Sequence, residues 1–105
     1  MTEAELLGFV TALCDDRGLL WSHVPDSRQI QGDAGVPDLL IAGPYGTVFA
    51  ELKDAYASLT PGQSTWRYRL QGAGQFWFLW RPEDLLLGRI DHALDAITHR
   101  ERKSA

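Results

Sequence analysis

Three residues combine types and spacing that could do chemistry together: Asp38, Glu51 and Lys53. Pro37-Asp38-Leu39-Leu40-Ile41-Ala42 reads as a buried strand opening with proline. Gly43-Pro44-Tyr45-Gly46 reads as a tight turn and Thr47 to Lys53 as the returning strand of a β-hairpin. Antiparallel strands bring the start of one beside the end of the next, so Asp38 and Glu51 meet at one end of the sheet. Two carboxylates so placed repel unless a cation lies between them or one takes a proton. Hard oxygen ligands of this kind suit Mg²⁺ or Mn²⁺, and the backbone carbonyl of Leu52 could add another oxygen. The period of two puts Thr47, Phe49, Glu51 and Lys53 on one face and Val48, Ala50 and Leu52 on the other. Lys53 therefore stands on the Glu51 side, where its ammonium could stabilise a pentacovalent phosphorane or orient an attacking hydroxide. Such a constellation describes metal-assisted phosphodiester hydrolysis. Plainer readings exist: Asp38 as a strand-entry residue, and Glu51 with Lys53 as a solvated ion pair on an edge strand.

The elements that must position these residues follow from periodicity and punctuation. Leu6, Leu7, Val10, Leu13 and Cys14 line one face of a helix over Thr2 to Asp16, with a Thr2/Glu5 capping box at its start and Gly18 at its end. Leu19 to Val24 fits a first strand, and Pro25 to Gly35 a polar loop. Thr60-Pro61-Gly62-Gln63 opens a second helix running to about Gln71, with Thr at the N-cap, Pro at N1 and Gln at N3. There Trp66 and Leu70, four apart, read as buried. Gln75 to Trp80 is a further buried strand, with Trp77 and Trp80 on opposite faces, each packed against helices. Arg81-Pro82-Glu83-Asp84 then opens one last helix, about 83–101, whose Leu86, Ile90, Leu94 and Ile97 form an apolar stripe. His92 and His99 lie on it and read as solvated. The order α-β-β-β-α-β-α implies a mixed sheet covered by helices, an α/β architecture.

Bulk properties narrow the classes. The 105 residues fit a single domain. One cysteine, Cys14, rules out an internal disulfide and a cysteine-based zinc site, and it reads as a small core residue. No apolar run approaches the ~20 residues that cross a bilayer, and the acidic N-terminus does not resemble a signal peptide, so no membrane role and a cytoplasmic location are expected. Ten Lys and Arg against 14 Asp and Glu give a net charge of −4. A globally basic surface is absent, so binding to nucleic acid must rest on local charge or on a metal ion.

Pro37-Asp38 followed by Glu51-Leu52-Lys53 resembles the PD-(D/E)XK nuclease signature. Four segments together, Gly35-Val36-Pro37-Asp38-Leu39, Phe49-Ala50-Glu51-Leu52-Lys53, the Pro61 and Gln63 that open the next helix, and Trp80-Arg81-Pro82, look like the small stand-alone VRR-NUC nucleases of phages. The likeness spans about Glu3 to Asp84. It implies a restriction-endonuclease-like α-β-β-β-α-β core, here about 3–84, with an additional C-terminal helix in one domain over 1–105. It also implies Mg²⁺-dependent (or Mn²⁺-dependent) endonuclease activity leaving a 5′-phosphate, and often a homodimer acting on branched DNA such as Holliday junctions, in the host cytoplasm if phage-encoded. By the same resemblance Asp38 and Glu51 are metal ligands, Lys53 is the catalytic lysine, and Gln63 is an active-site polar residue, although its capping box alone would explain it. The helix-one glutamate of the family could be Glu3 or Glu5. Glu3 is preferred, because it aligns with Leu7, Val10 and Cys14 while Glu5 serves the capping box. His23, Ser27, Arg28 and Arg67 are candidate DNA contacts, and Arg69 is a further phosphate candidate. For His23 and its loop, local hydrogen bonding is as good an account. A dimer interface could use the exposed face of the last helix or the Trp77 strand. The competing class is a catalytically silent nuclease-fold module that binds DNA or a partner.

Overall fold

A capping box starts the chain's first helix. Thr2 N donates to Glu5 Oε1 at 2.9 Å and Glu5 N to Thr2 Oγ1 at 3.1 Å, which satisfies two of the donors a helix start leaves free. The structure is a computed structural model describing residues 1–24 and 31–100. Helix α1, Glu3–Asp16, turns Leu6, Val10 and Cys14 wholly inward. Strands β1 (Leu20–His23), β2 (Leu39–Gly43) and β3 (Gly46–Leu52) follow, then α2 (Pro61–Gly72), β4 (Phe76–Trp80), α3 (Pro82–Leu86) and α4 (Arg89–Thr98).

The four strands lie in sequence order. β1–β2 and β2–β3 are antiparallel, with Leu39 opposite Ala50, and β3–β4 is parallel, with Glu51 opposite Leu79. The expected mixed α/β sheet is present, and its one parallel pair is joined through α2, as a crossover requires. Val48, Ala50 and Leu52 face a core shared with Leu39, Ile41, Trp80, α1 and α4. Burying this face is the main stabilising term, at roughly 25 cal/mol per Å² of apolar surface. Arg17 ties the two covering helices together through Asp91 (2.8 Å) and Asp95 (2.9 Å). Among the described residues no helix is long and apolar enough to cross a membrane.

Three expectations change. The last helix is two, because Gly88 takes φ +74° and caps α4, a conformation glycine adopts without penalty. The break swings Leu86 out to 80% exposure, so it leaves the stripe that Ile90, Leu94 and Ile97 do form. Residues 101–105 lie outside the described chain. Trp66 does not enter the core: α2 buries no residue fully, and the Trp66 indole nitrogen donates instead to the Asp33 carbonyl at 3.3 Å. Third, β3 is central rather than at an edge, which removes the solvated edge-pair reading of Glu51 and Lys53.

Candidate metal centre

Asp38 sits one residue ahead of β2. Its carbonyl accepts from Val24 N at 2.9 Å, extending the β1–β2 pairing, and its Oδ2 accepts from Leu52 N at 2.9 Å. The second bond draws the carboxylate across to the end of β3, beside Glu51. Glu51 lies on the sheet face opposite Ala50 and Leu52 and is only 2% exposed. Its Oε1 accepts from Gln63 Nε2 at 2.8 Å. Its Oε2 is buried without a hydrogen-bond partner among the described residues. Burial first, and then the adjoining Asp38 carboxyl, push the Glu51 pKa up to about 9, while Lys53 works against that rise. As two carboxylates, the pair has no proton to share. Protonated, Glu51 would donate to Asp38.

Gln63 owes its position to the start of α2. Thr60 N donates to Gln63 Oε1 at 2.9 Å and Gln63 N to Thr60 Oγ1 at 3.2 Å. The side-chain amide therefore caps the helix with its oxygen and holds Glu51 with its nitrogen, so the capping and active-site readings of this residue coexist. The helix start is seated by two glycines. A Cβ on Gly35, where φ is +94°, would lie 2.3 Å from the Gly62 carbonyl carbon and 2.4 Å from Gln63 N. Only a bare Cα lets the two backbones approach so closely.

These groups surround a cleft of about 590 Å³ whose walls include Glu3, Asp38, Glu51, Lys53, Thr60 and Gln63. Lys53 is half-buried there. Its backbone N donates to the Trp80 carbonyl at 3.1 Å, and the carbonyl of the following residue, Asp54, accepts from Arg81 Nη1 at 2.7 Å. Glu3 stands exposed on the cleft wall, and its pKa is raised by desolvation and then by Asp38, against the pull of Lys53. Glu5 is occupied by the Thr2 cap. His23 borders an adjoining hollow with Glu3 and Asp38. Arg67 is not on the cleft wall: its guanidinium lies 5.3 Å from the centroid of the Trp77 ring. Ser27 and Arg28 lie outside the described residues. Sequence reasoning passed over Thr60, Gly35, Gly62 and Arg81 as parts of the site. The signals were there in part: Thr60 as the N-cap beside Gln63, and Gly35 and Arg81 within the segments that resemble the nuclease family.

The donor set fits a hard divalent cation. A buried carboxylate oxygen with no donor, against a second carboxylate, is the arrangement a cation relieves. Among the described residues no three acidic, histidine or cysteine side chains are gathered closely enough to share one ion. The close donors are therefore Asp38 and Glu51. Mg²⁺ is commonly held by one or two carboxylates with waters completing its shell.

Neither a protein-family model nor a curated protein matches the sequence. Solved structures do match. One described as a VRR_NUC domain superposes with a TM-score of 0.70 at 21% identity, over 91% of this chain and 98% of that one. Another, described as a VRR_NUC domain protein, gives a TM-score of 0.65 at 23% identity, over 94% of this chain and 97% of that one. At such identity the likeness is one of fold, and since it runs nearly end to end in both partners, this chain has the VRR-NUC fold.

Proposed function

We propose that the chain is a metal-dependent endodeoxyribonuclease of the PD-(D/E)XK type, a single domain over 1–105 that hydrolyses phosphodiester bonds in branched DNA, including junctions of the Holliday type. The observation that carries this reading is the Glu51 Oε2, buried beside the Asp38 carboxyl in the wall of a cleft and without a hydrogen-bond partner among the described residues. Asp38 and Glu51 would hold Mg²⁺ or Mn²⁺ with the Leu52 carbonyl, which in an extended strand faces the same edge as the amide that Asp38 binds. Glu3 would reach the ion through one of the waters Mg²⁺ retains. When bound, the ion supplies a lowered water pKa and polarised phosphoryl oxygens.

The chain's own groups do the rest. Gln63 fixes the Glu51 carboxylate by donating to one of its oxygens, leaving the other for the ion. The Lys53 ammonium, on a backbone held by Trp80 and, through Asp54, by Arg81, faces the charge that builds on the phosphoryl oxygens and stabilises it. In-line attack by water on phosphorus breaks the bond to the 3′ oxygen, which takes up a proton as a 3′-hydroxyl, and leaves a 5′-phosphate. A net charge of −4 is compatible with an anionic substrate because a bound cation inverts the field at the cleft. His23 lies close enough to the cleft to contact DNA, and Ser27 and Arg28 remain candidates for the same task.

The active species is a homodimer in the cytoplasm. Support for the dimer comes from β4, at one end of the strand order, and from the apolar hollow of about 760 Å³ beside it, where Phe76 is 54% and Leu87 62% exposed. The deciding experiment is a panel of branched, flap, nicked, single-stranded and linear DNA, with RNA counterparts, incubated with Mg²⁺ or with EDTA. Cleavage of branched DNA in Mg²⁺ alone is expected. No cleavage of any substrate, together with intact DNA binding, would favour the silent module instead.

A further inference from the structure

α2 has two arginines and no carboxylate in a chain of net charge −4. Its first turn closes the metal cleft through Thr60, Gly62 and Gln63. Beyond Gly62 the surface continues into a second groove, of about 650 Å³, lined by Asp33, Ala34, Gly62, Thr65, Trp66 and Arg69. Ala34 and Gly62 belong to both walls, so the groove adjoins the cleft across the contact between these two residues. Arg69 also borders the next hollow along, beside Tyr68 and Gly72.

The two arginines are not equivalent. Arg67 lies over the Trp77 ring and reaches Gln71 at 3.4 Å. Arg69, two residues on and so on a different side of the helix, makes no ion pair or side-chain hydrogen bond among the described residues. Trp66, three residues before Arg69, is pinned by its bond to the Asp33 carbonyl. Among the described residues Asp33 is the one acidic residue lining this groove, and its charge disfavours phosphate nearby, leaving the Arg69 side as the attractive one.

We propose that this groove is the track of the DNA strand flanking the scissile phosphate, with Arg69 on a backbone phosphate and Trp66 as part of the floor. At 1.5 Å of rise per residue, Gly62 and Arg69 are ~10 Å apart along the helix. That is about three nucleotides at the ~3.4 Å axial spacing of one duplex strand. The assignment rests on the nuclease reading for the position of the scissile group. The occupant is DNA backbone because the groove adjoins the cleft and is bordered by Arg69 on a helix that carries two arginines and no carboxylate.

Arg69→Ala and Arg69→Lys test it, since an exposed helical position tolerates both. Binding of a fluorescein-labelled branched DNA is followed by anisotropy in Mg²⁺ over a series of salt concentrations, in a Lys53→Ala background that suppresses cleavage. Removing one phosphate contact should weaken binding roughly five- to tenfold and lower the slope of log affinity against log salt by about one, with Lys restoring the slope. Affinity and slope equal to those of the unmutated position would overturn the track while leaving the nuclease reading intact. Arg69-dependent binding, alongside a Lys53 parent sequence that cleaves no branched DNA in Mg²⁺, would overturn the nuclease reading and leave the groove as a DNA-binding surface.

Discussion

Gln63 and Glu51 are joined by a 2.8 Å hydrogen bond from the amide nitrogen of one to the carboxylate of the other, while the same amide's oxygen caps α2 at Thr60. A helix cap and an acidic site thus share one side chain. Gln63→Ala removes both bonds, and loss of a cap plus an unsatisfied buried carboxylate oxygen is expected to cost about 1–3 kcal/mol. Thermal melts in EDTA should show a fall of several degrees for a domain of this size. A melting temperature equal to that of the parent would mean the bond does not hold the cleft together.

Glu51 makes the metal-free protein sensitive to alkali. Its folded pKa is raised above its ordinary value, to about 9, so as pH climbs past about 4.5 the unfolded chain loses a proton that the folded chain keeps. Stability from this group is therefore greatest below the unfolded pKa and declines as pH rises towards the folded value. Glu51→Gln removes that titration. Its amide can donate to Asp38 while its oxygen still accepts from Gln63. In EDTA the variant should resist urea better than the parent at pH 8 and about equally at pH 4, and Mn²⁺ should no longer stabilise it. A parent protein whose urea midpoint in EDTA is the same at pH 5 and pH 8 would contradict the burial argument.

What the sequence made legible was whatever depends on local periodicity. The hairpin carrying Asp38 and Glu51, the two capping boxes and the inward face of α1 each follow from spacing within a few residues. Contacts made only on folding were not readable. Gly88 sits between two apolar patterns that are each helical, and nothing local says the chain reverses its φ there instead of continuing, so Leu86 was placed on a face it does not share. Trp66 has the spacing of a core residue, but α2 lies against the Asp33 loop and β4 with no layer beyond it. Similarly, period two puts Glu51 opposite Ala50, while its near-total burial depends on α2 being drawn in by the approach of Gly35 to Gly62.

Lys53 offers a test in which structure and chemistry separate. Its backbone is held by Trp80 and, through Asp54, by Arg81, so truncating the half-buried side chain should leave the fold in place. Lys53→Ala is expected to lower cleavage by about 10²–10³-fold, the usual loss when one stabilising group for transition-state charge is removed. Mn²⁺ binding measured by calorimetry should persist, because both carboxylates remain. Undiminished cleavage would remove Lys53 from the reaction.

Gly35 should be among the least replaceable positions around the cleft. An alanine there meets two penalties: a φ of +94°, and a Cβ 2.3 Å from the Gly62 carbonyl carbon and 2.4 Å from Gln63 N. Both obstructing atoms are backbone, so relief requires moving the start of α2, and with it Gln63 and the bond to Glu51. At Gly32, where φ is +110°, an added Cβ would meet nothing within 4 Å among the described residues beyond its chain neighbours. The comparison isolates the contact from the conformational strain. Gly32→Ala should cost about 1 kcal/mol, whereas Gly35→Ala should exceed about 2 kcal/mol, a gap of several degrees in melting temperature. Gly35→Ala should also weaken Mn²⁺ binding, which Gly32→Ala should not. Equal melting temperatures for the two variants would show that the loop and α2 do not meet as closely as 2.3 Å implies, and Glu51 would then have lost its explanation for being buried.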